Sequence, residues 1–341
     1  MTAGSSHVLA GLASDSAAKL WGVIEAVGGF LAIMAIIFFV AGRATGRLQR
    51  PLTVVICLGP AIVLLLIGLV APAIRTMYLS LHGADAFGPD VHYVGMKNYS
   101  WAFTDPTTRA TLIRTVLWLV IVPTAATGFG LLVALLVDRM RQGLQSLAKS
   151  LIFMPTAISF VGASVIWKYV YNYTDPRQPQ IGLLSEVAIK LGWKHPPNWL
   201  LTSPVNTFLL MIIMVWIQTG FAMVVLGAAL KSIPDEIIEA ARMDGASGYR
   251  LFRTVQMPMI RTTLVVVVTT IMIATLKVFD IVYTMTGGNF STDVLSNDMY
   301  TQIFTQFNYG RGSALAVILF MAVMPLVGYN VMRMRRDRAA R

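Results

Sequence analysis

The sequence predicts an all-α membrane protein, a polytopic bundle of about seven transmembrane helices. Hydrophobic residues make up 56% of the 341 residues and charged residues only 13%, whereas an ordinary globular chain has about 25% charged residues. The stretches 51–74, 115–137 and 312–332 contain no charged residue, and a spanning helix needs about 20 mainly apolar residues. The charged residues are too few to cover a water-soluble surface, so a soluble enzyme is excluded.

Apolar stretches long enough to cross a bilayer occur seven times. They lie near 21–42, 52–74, 112–137, 150–171, 205–229, 263–286 and 312–332. The sixth stretch is interrupted by Lys277 and Asp280. Lys19 is the only Lys or Arg before the first stretch, and the basic segment 43–50 follows that stretch. Because this is the reverse of the charge order in a cleaved signal peptide, we expect a retained helix.

The distribution of Lys and Arg predicts the side of the membrane on which each loop lies. One set of segments between spans holds 16 basic residues, and the other set, which is much longer, holds 10. The richer set comprises 43–50, 138–149, 231–261 and 333–341. Because basic residues concentrate in cytoplasmic loops, we expect these segments and the C-terminus in the cytoplasm and the N-terminus outside. This placement accounts for the net charge of +11 without a nucleic-acid partner.

The segment 231–261 differs from the other loops because it predicts two short amphipathic helices joined at a glycine. Ile237, Ile238 and Ala241 recur at helical spacing among charged residues. Gly245 is suited to the left-handed conformation that ends a helix. The segment is therefore a structured element on the cytoplasmic side.

The second of these helices is expected to start after Ser247, which can cap it, and to end before Pro258. Two interpretations fit the pair of helices: a surface element resting on the membrane, or an element that docks a cytoplasmic protein. The five basic and four acidic residues of the loop disfavour simple attraction to anionic lipid.

Three short motifs in this loop carry a family resemblance. Glu239-Ala240-Ala241 is followed after three residues by Gly245 and later by Val255-x-Met257-Pro258. This pattern resembles the EAA loop in permease subunits of binding-protein-dependent ABC importers, which usually have Ile and Leu in place of Val255 and Met257. Asp244-Gly245-Ala246 resembles the carbohydrate-uptake branch, related to the larger maltose permease and to α-glucoside and sn-glycerol-phosphate permeases. The resemblance implies a coupling helix that contacts an ATP-binding subunit through Glu239, Ala240, Ala241, Asp244, Gly245, Phe252 and Pro258.

The resemblance extends over residues 52–335. Gly95-x-x-Asn98-Tyr99 resembles a motif in the first outer loop of sugar permeases. Phe279-Asp280 with Thr286-Gly287-Gly288 resembles the outer end of the fifth core helix. Two departures stand out: Asn289-Phe290 replaces the common Gly-Pro, and Arg114-Thr115 replaces the common Asn-Thr.

The resemblance implies an ABC importer type I permease fold with two parts. Residues 51–341 form a six-helix core with the coupling loop at 231–261, and residues 1–50 add an N-terminal helix and a basic cytoplasmic loop. It also implies a second permease subunit, two ATP-binding subunits that hold ATP and magnesium, and an extracytoplasmic solute-binding protein. The chain is then a multi-pass protein of the bacterial plasma (inner) membrane, embedded in the lipid bilayer.

The motifs that catalysis would need are absent from the sequence. It contains no Gly-x-x-x-x-Gly-Lys-Ser/Thr loop for nucleotide phosphates. The four histidines are scattered, with no His-Glu-x-x-His and no Gly-x-Ser-x-Gly. We therefore expect a non-catalytic chain that holds no metal and no cofactor, with ATP hydrolysis in another polypeptide.

Polar and charged residues within the spans are the candidates for the solute path. A charge at mid-membrane costs about 2.5–3.5 kcal/mol, so Lys277 and Asp280 are expected either to neutralise each other or to line the path or a permease interface. The polar and aromatic residues of two earlier spans offer hydrogen bonds and stacking faces to a sugar, or pack helix against helix. The full set of candidates is Thr156, Ser159, Trp167, Trp216, Gln218, Lys277, Asp280 and Tyr283.

The function predicted from these observations is that of a permease subunit for a sugar, an α-glucoside, disaccharide or small oligosaccharide. It would couple ATP hydrolysis by partner subunits to alternating access. A polyol or glycerol-phosphate permease is the alternative within the family. A seven-helix receptor and a membrane-embedded enzyme are the rivals from other classes.

Overall fold

The computed structural model describes residues 58–83, 92–175, 178–179 and 181–339, together with residues 21, 28–29, 35 and 39. The helices are α1 (Leu58–Ser80), α2 (Lys97–Thr104), α3 (Pro106–Asp138), α4 (Gln142–Phe153), α5 (Phe160–Val170), α6 (Leu183–Lys190), α7 (Val205–Lys231), α8 (Asp235–Met243), α9 (Gly248–Leu276), α10 (Asp280–Thr286), α11 (Leu295–Tyr300) and α12 (Tyr309–Ala339). Strands β1 (His82–Gly83) and β2 (His92–Tyr93) pair antiparallel, with His82 opposite Tyr93. The chain divides into two units between Arg75 and Thr76, and the packing described below belongs to the second.

The expectation of an all-α, multi-span protein is confirmed. Within the described residues five helices are long and apolar enough to cross a membrane, namely α1, α3, α7, α9 and the Tyr309–Tyr329 part of α12. A bent pair formed by α4 and α5 raises this number to six if it counts as one span. These six correspond to the six spans predicted from residue 52 onward. The predicted span 21–42 lies almost entirely outside the described residues.

The predicted span 150–171 is not one straight helix. Its first part belongs to α4 and the 3₁₀ turn that follows it, Met154–Ala157, and its second part is α5. The helix axes of these two parts differ in direction by 104°. The break falls where Ile158 and Ser159 adopt extended backbone conformations. The Ser159 hydroxyl then accepts a hydrogen bond from the Gly162 N–H at 3.1 Å. A serine that caps a new helix start explains why an apolar stretch bends here.

The predicted span 263–286 also differs from the structure, because α9 ends at Leu276 and α10 starts only at Asp280. The carbonyl of Val278, within this break, accepts a hydrogen bond from the buried Ser296 hydroxyl. A backbone group released from the helix is thereby satisfied by a side chain, as a buried position requires. The membrane-length helix is instead Gly248–Leu276 and starts earlier than predicted.

The core of the bundle is the contact between α3 and α7. A Cβ atom at Gly130 of α3 would lie 2.4 Å from the Ala222 Cβ and 2.8 Å from the Met223 backbone nitrogen of α7. Lipid chains are as apolar as leucine, so spans associate through close packing of small residues rather than through a hydrophobic force. The fully buried side chains of this contact include Trp118, Val122, Ala126, Leu210, Met214 and Ala222.

The departure Arg114-Thr115 has a structural role. Arg114 Nη1 donates to the Asp293 carbonyl oxygen at 3.1 Å, and Thr115 Oγ1 accepts from the Leu295 N–H, the first of α11, at 2.9 Å. The Asp293 carboxylate accepts from the Asn297 side-chain amide at 2.7 Å. This polar junction, formed by Arg114, Thr115, Asp293, Leu295 and Asn297, ties α3 to the segment before α11.

The motif Gly95-x-x-Asn98-Tyr99 is likewise structural in the described residues. Gly95 has a φ of 59°, and Asn98 Nδ2 donates to the carbonyls of Ser80 and His82 at 2.9 and 3.0 Å. The Tyr99 hydroxyl donates to the Ser80 hydroxyl at 2.7 Å. The motif therefore attaches the start of α2 to the end of α1.

We predict that Gly130→Val destabilises the protein, because the new side chain has no space beside Ala222 and overpacking costs about 1–3 kcal/mol or more. The matched control is Gly128→Val in the same helix, since a Cβ at Gly128 meets nothing within 4 Å. Thermal unfolding and the yield of detergent-stable protein measure the difference. Equal losses in the two variants would contradict the α3–α7 contact.

A second prediction concerns pH. Burial is the largest effect on the Asp293 carboxyl and raises its pKa to about 6, against the hydrogen bond from Asn297. An unfolded aspartate has a pKa near 3.9, so the folded state binds more protons between these two values and its stability falls as pH rises from about 4 to about 6.

Asp293→Asn removes this titration and keeps an acceptor for the Asn297 amide. The melting temperature of the wild type should therefore fall relative to that of Asp293→Asn between pH 4.5 and 6, with a constant gap above pH 6.5. The exposed Asp244→Asn serves as the control, measured for stability alone. A gap that is absent, or that grows above pH 7, would contradict the burial of an ionisable carboxyl at the junction.

Candidate functional site

The predicted turn at Gly245 is present in the structure. Helix α8 ends at Met243, and Gly245 follows with a φ of 81°. The Gly245 N–H donates to the Arg242 carbonyl at 3.0 Å and the Ala246 N–H to the Ala241 carbonyl at 2.9 Å. These bonds satisfy carbonyl groups in the last turn of the helix. The left-handed backbone conformation at position 245 favours glycine, which has no Cβ.

Helix α8 presents most of its surface to the surroundings. Of the predicted contact residues, Glu239, Ala240, Asp244 and Gly245 are exposed and Ala241 is half-buried. Two large side chains beside the turn are also uncovered: Met243 is 87% exposed and Tyr249 is 72% exposed. Both side chains are therefore open to contact with a partner protein or with the membrane surface.

The helix is nevertheless anchored to the bundle. Ile233, just before α8, is buried in the main core cluster. Ile238 of α8 is partly buried and packs against the same cluster. Phe252 of α9 packs there as well. The Gly245 turn is thus held between two hydrophobic anchors that attach it to the core.

The expected end of the second helix before Pro258 is wrong. The helix runs through this residue because a π turn, Phe252–Gln256, precedes it, and the Met257 N–H donates to the Phe252 carbonyl. Proline lacks an N–H and clashes with the carbonyl four residues earlier in a regular helix, and a π turn changes that spacing. Ser247 stands at the N-cap of this helix as predicted, but its side chain makes no capping hydrogen bond.

A groove of about 620 Å³ lies beside the turn. One wall is the end of α3, with Leu135, Asp138 and Arg139, and the other is the chain from Arg242 to Gln256. The groove combines both charges with backbone groups and apolar side chains. Together with exposed α8 it forms the candidate coupling surface, residues 235–258 and the end of α3.

Four of the eight candidates for the solute path have positions that are accounted for by helix packing. Thr156 Oγ1 donates to the Ile217 carbonyl at 3.0 Å, Ser159 caps α5, and the Trp167 and Trp216 rings meet edge to face at 5.7 Å. The half-buried Gln218 has no hydrogen-bond partner among the residues that the structure describes.

The expected pairing of Lys277 with Asp280 does not occur. Both residues are described, and no ion pair joins them, because the helix breaks between them: Lys277 follows the end of α9 and Asp280 begins α10. Lys277 is exposed and Asp280 half-buried. The interpretation that remains for them is the path or an interface.

Tyr283 belongs to an aromatic cluster that sequence reasoning missed. Phe279 stacks on Tyr283 with centroids 5.0 Å apart, Tyr300 contacts both at 4.8 and 5.3 Å, and Phe304 lies 4.8 Å from Tyr300. Tyr283 and Phe304 are 49% and 59% exposed. The sequence contains a partial signal, since 279 and 283, and also 300 and 304, are four residues apart, but the meeting of the two pairs depends on tertiary structure.

Metal binding finds no support within the described residues, where no group of three or more His, Cys, Asp or Glu side chains is arranged to hold an ion. The candidate site is built from exposed backbone, charged residues and aromatic rings.

Comparison with known proteins places the chain among membrane transport components. Residues 27–339 match the family described as binding-protein-dependent transport system inner membrane component. The osmoprotective compounds uptake permease protein GgtC of Synechocystis sp. is 46% identical over 282 residues, 83% of this chain and 99% of GgtC. The alpha-glucoside transport system permease protein AglF of Rhizobium meliloti is 45% identical over 281 residues, 82% of each chain.

The fold is similar to that of a solved transporter. A chain of the bacterial alginate ABC transporter, solved in complex with an alginate pentasaccharide-bound periplasmic protein, superposes with a TM-score of 0.72 at 19% identity, covering 85% of this chain and 96% of that chain. At this identity the likeness concerns the fold.

Proposed function

The chain belongs to the family of binding-protein-dependent transport system inner membrane components, and from this premise we propose that it carries an α-glucosidic saccharide across the plasma membrane. It is a multi-pass, non-catalytic permease subunit of an ABC importer. The observation that carries the substrate class is the 45% identity to an alpha-glucoside permease over 82% of both chains. A disaccharide or small oligosaccharide with this linkage is the proposed solute.

In the proposed assembly this chain pairs with a second permease subunit, two ATP-binding subunits and an extracytoplasmic solute-binding protein. ATP and magnesium are bound by the ATP-binding subunits. The distribution of Lys and Arg supports a cytoplasmic position for α8 and the C-terminus and an outside position for the N-terminus. Residues 1–50 are then an addition to the core formed by 51–341.

The coupling surface is the proposed contact with an ATP-binding subunit. Glu239, Asp244 and the Gly245 turn supply charge and shape at its exposed edge, and Ile233 and Ile238 fix it to the core. Closure of the ATP-binding pair would push this edge, and the bundle would switch between outward-facing and inward-facing states. Ala240, Ala241, Phe252 and Pro258 shape the same surface.

The aromatic cluster is the proposed sugar-contacting wall of the path. Its rings are half-exposed, and Lys277 and Asp280 lie close to Phe279 in the sequence, at the break between α9 and α10. Aromatic faces provide large contact area to an amphipathic ring, and the charged groups offer hydrogen bonds to hydroxyls. Thr156, Ser159, Trp167, Trp216 and Gln218 remain candidates for the wall formed by the other helices.

The first test is reconstitution of the tagged importer in proteoliposomes with its solute-binding protein and a panel of maltose, trehalose, sucrose, glycerol and glycerol 3-phosphate. ATP-dependent uptake of a glucoside is expected, with an ATPase that carries a phosphate-binding loop among the co-purified chains. Uptake of glycerol 3-phosphate alone would replace the proposed substrate. Recovery of a stable chain without an ATPase would reopen the receptor and enzyme classes.

We predict that Gly245→Asp and Glu239→Lys reduce solute-stimulated ATP hydrolysis at least tenfold while leaving membrane insertion unchanged. The control for backbone strain is Gly192→Asp, because Gly192 is also left-handed, with a φ of 95°, and a Cβ at either glycine meets nothing within 4 Å. The Gly192 variant should retain stimulation. Normal stimulation in both loop variants would refute the coupling role of the turn.

We further predict that Tyr283→Ala lowers the uptake rate about fivefold, the effect expected from about 1 kcal/mol of aromatic contact. Tyr283→Phe keeps the ring and should retain most of the uptake. Phe129→Ala removes an equally exposed ring of α3 that lies outside the cluster and is the control. A loss in the Phe129 variant equal to that in Tyr283→Ala would indicate damage to the fold rather than a contact with solute.

A further inference from the structure

A second crevice lies where three connecting segments meet, at the end of α5, before α7 and after α10. It has a volume of about 310 Å³. Its lining includes Lys168, Tyr171, Asn172, Tyr173, Asn198 and Phe290, and the pocket is called the loop crevice. It lies apart from the aromatic cluster and from the coupling surface, with which it shares no lining residue.

The floor of the loop crevice is fixed by buried contacts. The Asn172 carbonyl accepts from the Ser185 hydroxyl at 3.0 Å, and that hydroxyl accepts from Trp199 Nε1 at 2.9 Å. Gly182 packs so closely that a Cβ atom on it would lie 1.9 Å from the Asn172 carbonyl oxygen. The Tyr171 hydroxyl donates to the Leu209 carbonyl at 2.9 Å. The backbone that carries Asn172 is thus held in one position.

The opposite wall is a turn with unusual backbone geometry. Phe290 and Ser291 have φ values of 56° and 59°, a left-handed region that non-glycine residues rarely adopt. The turn is retained by Asn206 Nδ2, which donates to the Phe290 carbonyl at 2.8 Å, and by Thr207 Oγ1, which donates to the Ser291 carbonyl at 3.2 Å. This arrangement leaves the Phe290 ring 49% exposed at the edge of the crevice.

Several polar groups face the crevice without partners. Within the described residues, the side chains of Lys168, Asn172, Tyr173 and Asn198 make no hydrogen bond to protein, although the last three are half-buried. Carboxamides and a phenol each donate and accept. None of the described residues that line the crevice is acidic. Mixed donors and acceptors beside an aromatic ring suit a neutral ligand with many hydroxyl groups.

We propose that the loop crevice binds one glycosyl unit of the transported saccharide before the solute enters the path. This proposal rests on the proposed function, from which the ligand class is taken. The volume is at the lower end of the range for small-molecule pockets, about 300–1,000 Å³, and so fits a single sugar ring. Under the proposed orientation the three segments lie on the outer side, where the solute arrives.

The test measures whether maltose protects a crevice residue from chemical labelling. The chain has one cysteine, Cys57, so Cys57→Ser provides a background for Leu201→Cys, which lines the crevice and is 47% exposed. Lys194→Cys, exposed in the same connecting segment but outside the crevice, is the control. The assembled importer in nanodiscs, without the solute-binding protein, is labelled with a maleimide at increasing maltose concentration.

Maltose should slow labelling at position 201 in a saturable manner and leave position 194 unaffected. Adding Asn172→Ala and Asn198→Ala should raise the half-protecting concentration about tenfold, since two hydrogen-bonding side chains are lost. Absent protection, or the same half-protecting concentration in the double variant, would overturn the proposal. Protection by sugar-free solute-binding protein, with none from maltose, would also overturn it and identify a protein-docking surface.

Failure of the crevice can be distinguished from failure of the proposed function. The wild-type importer is assayed in parallel for maltose uptake with its solute-binding protein. Uptake without protection at position 201 refutes the crevice alone. Absence of glucoside uptake in the wild type refutes the substrate class, on which the crevice proposal depends.

Discussion

The contact of α3 with α7 at Gly130 is the constraint on which the rest of the structure depends. Lipid offers no hydrophobic force between spans, so the two helices are held by close packing, and the packing is close only because position 130 has no side chain. Both ends of helix α7 are then linked to elements of the candidate and proposed sites. Thr207 at one end holds the strained turn at Ser291, and Ile233 just beyond the other end anchors α8 to the core.

The Gly245 turn and the break before α10 are joined by α9. This helix begins at Gly248, next to the Gly245 turn, and ends at Leu276, next to the break that leads to the aromatic cluster. At 1.5 Å per residue, its 29 residues extend about 43 Å. One continuous helix, rather than a chain of loops, therefore separates the proposed coupling surface from the break that precedes the aromatic rings.

Much of this architecture can be predicted from the sequence, because charge-free stretches and the helical pattern before Gly245 are local properties. The left-handed glycine follows from the same local reasoning. The 104° bend between α4 and α5 is local as well, yet the apolar run conceals it, since Pro155 and Ser159 interrupt hydrogen bonding without interrupting hydropathy. The expected pairing of Lys277 with Asp280 fails for a similar reason. A three-residue spacing brings two side chains together only if the helix continues, and here it is broken between them.

The remaining features require contacts between residues far apart in the sequence. Arg114 reaches the Asp293 carbonyl across 179 positions, so the departure at Arg114-Thr115 has no meaning until α3 and α11 are placed side by side. The same applies to Asn206 and Phe290, 84 positions apart. In both cases a polar side chain satisfies a loop carbonyl beside a helix end. Buried backbone groups must be paired. In these loops, which lack regular backbone hydrogen bonding, individual side chains supply the partners and thereby fix the position of the loop.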